Sequence, residues 1–273
     1  MTMTTTWRLL TTPPAHGAWN MAVDEAMLEA VIQGASRPTL RLYAWKPPCL
    51  SLGHAQPFKD VDMARLQQRG WEVVRRMTGG RAILHIDELT YSVTGPENEP
   101  RLTGSILESY SRLAQALLVA VHDLGLPVEM KEGKADASGQ INPVCFEVPS
   151  TYEITVGGKK LIGSAQARRK EGVLQHGSLP LSGDLSRICQ ALTFPDEAAR
   201  EDAIQRLLAR ATTVESVLGR EVTWDTAAQA FVRAFETQLG LSFEEGNLSA
   251  TELSRAEELV REKYAHPSWT ERS

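Results

Sequence analysis

The stretch from Tyr152 to Gln166 constrains this chain most. Two short extended runs, Tyr152–Val156 and Lys159–Gln166, meet at Gly157-Gly158 with nothing else between them. Paired glycines tolerate the positive φ angles of a two-residue hairpin turn, so the segment is expected to fold back as an antiparallel β-hairpin. On that turn Thr155 faces Lys160, on the side away from Ile154 and Val156. Lys160 therefore leaves the apolar layer. It either lines a site on the opposite face or is an exposed hairpin lysine. Gly163, Ser164 and Ala165, just beyond it, leave room for a ligand or backbone to approach.

The rest of the chain supplies partners for that sheet. Trp7–Thr11, Thr39–Trp45, Leu50–His54, Trp71–Arg76, Ala82–His85, Leu89–Val93 and Val173–Leu181 read as strands. Gly17–Val31, Val61–Arg69 and Gly104–Leu124 read as helices, the first with Asn20 as a candidate cap. In the third, Ile106, Leu107, Tyr110, Leu113, Leu117 and Val121 lie near one stripe. From Asp184 onward the pattern is helical, including Thr226–Leu239 and Ala250–Tyr264. Strands early and helices late predict an α+β fold.

The chain has 273 residues, enough for one large domain or one domain with a small helical appendix. A formal net charge of −5 argues against a general nucleic-acid binder. The best apolar run, Leu113–Val121, ends at His122-Asp123, far short of the ~20 residues of a spanning helix. The first residues lack the basic start and long apolar core of a signal peptide, so a cytoplasmic chain is expected. Cys49, Cys145 and Cys189 are widely separated, with no C-x-x-C pair, which disfavours a disulfide framework or a thiolate metal site.

Three segments carry chemistry. In Val73–Ala82 a strand runs into Thr78-Gly79-Gly80 with Arg75, Arg76 and Arg81 around it. That combination suits an anion such as phosphate, or is a tight turn with solvated arginines. Asn142–Glu147 ends a long, weakly periodic loop and contains Cys145, either a nucleophile beside a pocket or a buried thiol. The third is the hairpin with Lys160. Cys145 and Lys160 cooperate only if the loop folds back over the sheet, and Pro143 and Pro149 suit such bends.

Together, Gly17–Leu28, Leu52-Gly53 with Gln56, Arg75–Ser92, Cys145–Glu153 and Lys159–Leu181 resemble the biotin/lipoate protein ligase superfamily in consistent order. They are most similar to its cysteine-dependent, LipM-type octanoyltransferase branch. ATP-dependent lipoate ligases usually carry a third glycine after Gly79-Gly80, where this chain has Arg81, and Asn-Asp where it has Tyr152-Glu153. Lipoyl amidotransferases usually lack the His176-Gly177-Ser178 seen here.

The resemblance implies a mixed sheet flanked by helices, with a catalytic acyltransferase core over 1–183 and a helical part over 184–273 packed on it. It implies Cys145 as the acyl-accepting nucleophile and Lys160 as the lysine that contacts the acyl carbonyl. Arg75, Thr78, Gly79, Gly80, His85 and Gly163, Ser164 and Ala165 would shape the acyl and phosphopantetheine pocket, with His176 beside it or structural. The implied donor is octanoyl-acyl carrier protein, and the acceptor a lysine of a lipoyl domain such as glycine-cleavage H protein. Thioester to amide is downhill, so no cofactor is expected, nor any nucleic-acid or membrane partner. Cys49 and Cys189 match no motif and read as structural. Arg168, Arg169 and Lys170 form a basic run suited to an acidic carrier or to solvent.

Overall fold

A computed structural model of the chain describes residues 5–132 and 152–272. Its elements run β1 (Thr5–Thr11), α1 (Gly17–Ile32), β2 (Thr39–Tyr43), β3 (Cys49–Leu52), α2 (Met63–Gln68), β4 (Glu72–Arg75), β5 (Ile83–His85), β6 (Glu88–Pro96) and α3 (Ile106–Asp123). There follow β7 (Glu129–Glu132), β8 (Tyr152–Val156), β9 (Lys159–Arg169), β10 (Gly172–Pro180), α4 (Glu197–Arg210), α5 (Val214–Leu218), α6 (Trp224–Leu239), β11 (Leu241–Glu245), α7 (Ala250–Leu259) and α8 (Pro267–Thr270). The eight-stranded mixed sheet has the order β11-β1-β2-β6-β10-β9-β8-β7, and β4-β3-β5 form a second, smaller sheet.

Strand alternation divides the large sheet into two unlike faces. On β6, Leu89, Tyr91 and Val93 enter the main apolar cluster with Leu40, Leu42, Val173 and Leu179. That cluster is closed by α3, through Leu113, Ala116, Leu117, Ala120 and Val121, and by α6, through Ala227, Ala230, Phe231, Ala234 and Phe235. Each large apolar side chain buried there contributes about 1.5–3 kcal/mol. The opposite face carries Arg41 and Tyr43 on β2, Glu88, Thr90 and Ser92 on β6, and His176 and Ser178 on β10, all buried. The cover over this polar face is α1 with the small sheet. Met21, Ala22, Ala26 and Met27 of α1 pack against Tyr43, Trp45, Cys49 and Val74.

The hairpin forms as the glycine pair demands, with Gly157 at φ 55° and Gly158 at φ 79°. Thr155 pairs with Lys160, and Ile154 with Ile162, so Leu161 is an extra residue in β9. Pairing with Thr155 puts Lys160 on the face away from Ile154, and the bulge lets Leu161 and Ile162 both enter the main apolar cluster.

Several elements differ from the sequence reading. Helix α1 starts at Gly17, so Asn20 is not its cap. Its buried amide instead donates to Ala15 O (3.2 Å) and Ala44 O (3.0 Å). Helix α3 is capped by Ser105 and Glu108, and Ile106 and Leu107 are exposed rather than part of the packed stripe. The C-terminal part is not wholly helical: β11 pairs in parallel with β1, from Thr5 with Leu241 to Leu9 with Glu245. Its short LSFEE run follows a helix-ending Gly240, and an edge strand shows little alternation.

Candidate functional site

Between the polar face, α1 and the small sheet runs a narrow cleft enclosing about 420 Å³ including its mouth. Met21, Tyr43, Trp45 and Ile83 give it apolar walls, and Gly163, Ala165 and Gly177 leave its floor open. Ser51, Arg76, His85, Thr90, His176 and Ser178 add polar atoms. These residues come from seven elements and two loops, and two buried hydrogen-bond networks hold the polar ones.

The first is centred on Asp24 of α1. It accepts from Arg41 Nη1 (2.8 Å), the Tyr43 hydroxyl (3.0 Å) and Ser92 Oγ (2.8 Å), and its Oδ2 lies 3.3 Å from His176 Nδ1. Burial pushes the Asp24 carboxyl up, but the His176 hydrogen bond, the Arg41 guanidinium and Ser92 outweigh it and hold the carboxyl below its ordinary value. Burial depresses the His176 imidazole, with Arg76 and His85 adding to the shift against the opposing pull of Asp24. A neutral ring with its proton on Nδ1 satisfies both neighbours: it donates to Asp24 and accepts from Thr78 Oγ1 at 2.7 Å.

The second network is centred on Glu88. Its Oε1 lies 2.6 Å from His85 Nδ1 and accepts from Thr90 Oγ1 (2.5 Å), while Oε2 accepts from the Ser178 hydroxyl. His85 Nε2 meets Ser51 Oγ at 2.7 Å, and Ser51 Oγ also accepts from Arg76 Nη1 at 3.2 Å. Trp45 stacks on the His85 ring at 3.9 Å, tethered by its own Nε1 donating to Thr90 Oγ1 at 2.8 Å. Such a wall is preorganised: its rotamers are fixed before any ligand arrives.

This cleft is an apolar slot with rigid polar groups along one side, a shape suited to an acyl chain ending in a polar carbonyl. Among the described residues there is no cluster of side chains able to hold a metal, and no helix long and apolar enough to cross a membrane. Residues 16–236 match the lipoyl protein ligase A/B catalytic domain. The chain belongs to this family. It is 44% identical over 269 residues to an octanoyltransferase LipM from Moorella thermoacetica, covering 98% of both chains. It is 41% identical to one from Exiguobacterium sibiricum, covering 96% of this chain and 97% of that one. In three dimensions it is similar to a bipartite lipoate protein ligase from Thermoplasma acidophilum, with TM-score 0.81, 24% identity and coverage of 98% and 96% of the two chains.

Against that family fold, the residues singled out from sequence fall into three groups. Gly80, His85, Gly163, Ser164, Ala165 and His176 line the cleft, and Thr78 touches it through His176. Lys160 is 5% exposed, on the face of β9 away from Ile154, but it is not among the residues that line the cleft; Gly163, which is, lies three residues along the strand, or about 10 Å. Arg75 and Gly79 do not line it. Arg75 is fully buried, and its guanidinium donates to carbonyls of Gly53, His54, Gln56, Trp269, Thr270 and Arg272. It ties the small sheet to the C-terminal segment, and its neighbour Arg76 faces the cleft. Cys145 lies outside the described residues.

The basic run is also divided. Arg168 donates to Leu102 O, Ser105 O and Ser109 Oγ beside α3, whereas Arg169 pairs with Glu25 of α1 at 2.6 Å. Successive residues of a strand point to opposite faces, so Arg168 and Arg169 cannot share one patch. Both described cysteines are fully buried, and burial, with Glu72 and Glu88 nearby, pushes the Cys49 thiol well up.

The sequence reading missed Met21, Asp24, Tyr43, Trp45 and Ser51, and named Arg76 only among the arginines around the Gly79-Gly80 turn. A signal for one wall was present: in Glu88-Leu-Thr-Tyr-Ser-Val-Thr every second residue is polar, yet nothing marks that polar face as buried. Arg41, a charge within the largely apolar run Thr39–Trp45, is a second signal, one that calls for a buried carboxylate partner and was left unread.

Proposed function

We infer that the protein is an octanoyltransferase of lipoate biosynthesis that takes octanoate from acyl carrier protein, holds it as a thioester on Cys145, and delivers it to a lipoyl-domain lysine. Octanoyl transfer rests on one observation above all: near-complete overlap at 44% identity with an octanoyltransferase. The apolar slot with its fixed polar wall fits the acyl group. A lipoyl domain as acceptor accords with the family, whose name states lipoyl protein as its object.

The chemistry balances without a nucleotide. The Cys145 thiolate attacks the donor thioester carbonyl; the carbonyl–sulfur bond to the carrier breaks, and the carrier thiol leaves with a proton. The acceptor amine then attacks the Cys145 thioester, an amide forms, and the amine proton restores the Cys145 thiol. Lys160, buried on the face of β9 away from Ile154, supplies an ammonium to the acyl oxygen in both tetrahedral states and favours the Cys145 thiolate. Cys49 is unsuited to that role, because burial keeps its thiol protonated.

A radiolabelled octanoyl donor tests this reading. Label passing from octanoyl-acyl carrier protein to glycine-cleavage H protein without ATP supports it. Label reaching the acceptor only as free octanoate with ATP, through an adenylate, replaces it with ligase chemistry.

A further inference from the structure

The structure gathers basic side chains from three parts of the chain at one end of the cleft. Gly53 packs so closely on the Thr78–Gly80 turn that a Cβ on it would sit 1.9 Å from Gly80 O, and Gly80 lines the cleft. The next residue, exposed His54, donates its backbone N–H to Thr78 O (2.8 Å) and accepts at its own carbonyl from Arg272 Nη2 (2.7 Å). Trp269 holds Lys263 Nζ and the Arg272 guanidinium each at 4.1 Å from its ring centroid, with the His54 ring at 5.7 Å. Arg169 arrives from β9 and shares Glu25 with Lys263. Glu25 is itself 3% exposed; it anchors these two cations from below and offsets one of their two charges. Glu262 and Glu271 are exposed beside Lys263 and Arg272 in the chain, yet burial and the charges of Arg272, Arg75, Arg169 and Lys263 together hold the His54 imidazole below its ordinary pKa, so His54 reports positive charge there rather than adding to it. In a protein of net charge −5, such a concentration of positive charge beside the cleft mouth is a local exception that electrostatic complementarity explains.

We propose that Arg169, Lys263 and Arg272, with His54 at their edge, form the docking surface for the acidic face of the acyl-group donor, a carrier protein; this rests on the donor assigned above. The patch replaces the contiguous Arg168–Lys170 run, which strand alternation splits. Trp269 and the Arg75 anchor hold the cations in place, so docking needs little ordering of long side chains.

The test compares wild type with a His54→Glu/Arg272→Glu variant on three donors: octanoyl-acyl carrier protein, octanoyl-coenzyme A and octanoyl-pantetheine. The negative charge these substitutions add should lower kcat/KM for the carrier by about tenfold or more at low salt, while the two small thioesters change by less than about twofold. Independently of any variant, wild-type kcat/KM should fall with ionic strength for the carrier and stay flat for octanoyl-pantetheine. Equal losses on all three donors, or a loss shared by the coenzyme A thioester, overturn a protein-docking role, as does a salt-independent reaction with the carrier. If wild type is not acylated by the carrier at all, the donor assignment itself fails.

Discussion

Asp24→Asn isolates the buried charge on which the cleft wall depends. The Arg41 side chain has no exposure and the Asp24 side chain 1%. Removing one partner of a buried ion pair costs about 3–5 kcal/mol, because the remaining charge stays buried. Arg41 keeps Asn20 O (3.0 Å), Asn20 Oδ1 (2.7 Å) and Thr12 Oγ1 (3.1 Å), so its charge remains partly solvated by protein dipoles. The amide also turns one donor toward groups that themselves donate, among Arg41, Tyr43, Ser92 and His176. These opposing effects place the expected loss near the lower end, at about 3 kcal/mol. For a chain of this length that is roughly a 6 °C fall in Tm. Urea unfolding with an unchanged m-value measures it directly. Pairing with Arg41→Met closes the cycle: the double variant should lose clearly less than the sum of the single losses. A single-variant loss below about 1 kcal/mol, or strict additivity, refutes the view that this pair organises the wall.

Other consequences follow at the site. Cys145→Ala should abolish transfer, whereas Cys49→Ala and Cys189→Ala should retain it with some loss of stability; near-normal lipoyl-domain modification by Cys145→Ala sinks the covalent route. Lys160→Ala should slow transfer by on the order of 10²–10³, Lys160→Arg should rescue little, and iodoacetamide should alkylate Cys145 more slowly in both. Because the folded His176 pKa lies below its unfolded value, the unfolded chain binds the extra proton first. Stability is therefore fully present above about pH 6.5 and declines as pH falls below it toward the folded value; His176→Gln should flatten that slope in urea melts from pH 7.5 to 5.

Much of the architecture was legible because its signals are local. The Gly157-Gly158 pair specifies a turn, and the Thr155–Lys160 pairing follows from counting outward. Counting alone, however, does not reveal the Leu161 bulge. An unbroken β9 would carry Ile162 onto the face of Thr155 and Lys160, out of the apolar layer that it enters. The cleft was legible only in part, since its walls come from residues far apart in sequence. Trp45 is recognisable as an aromatic residue, but its stacking on His85 depends on β6 lying next to β2. Arg75 and Arg76 look equivalent in sequence, and only their alternation at the end of β4 sends one to the C-terminal segment and the other to the cleft. β11 escaped notice because five residues at a sheet edge carry too little pattern to stand out from a helix-rich region.

The central claim is a nucleotide-free octanoyl thioester on Cys145, and intact-mass spectrometry with peptide mapping measures it most directly. After mixing with octanoyl-acyl carrier protein and no ATP, one octanoyl group should appear on the peptide containing Cys145. It should be removed by hydroxylamine, and it should be lost in parallel with the appearance of octanoyl-lysine when a lipoyl domain is added. Unmodified enzyme alongside full transfer to the acceptor, or the adduct on any other residue, would contradict the account.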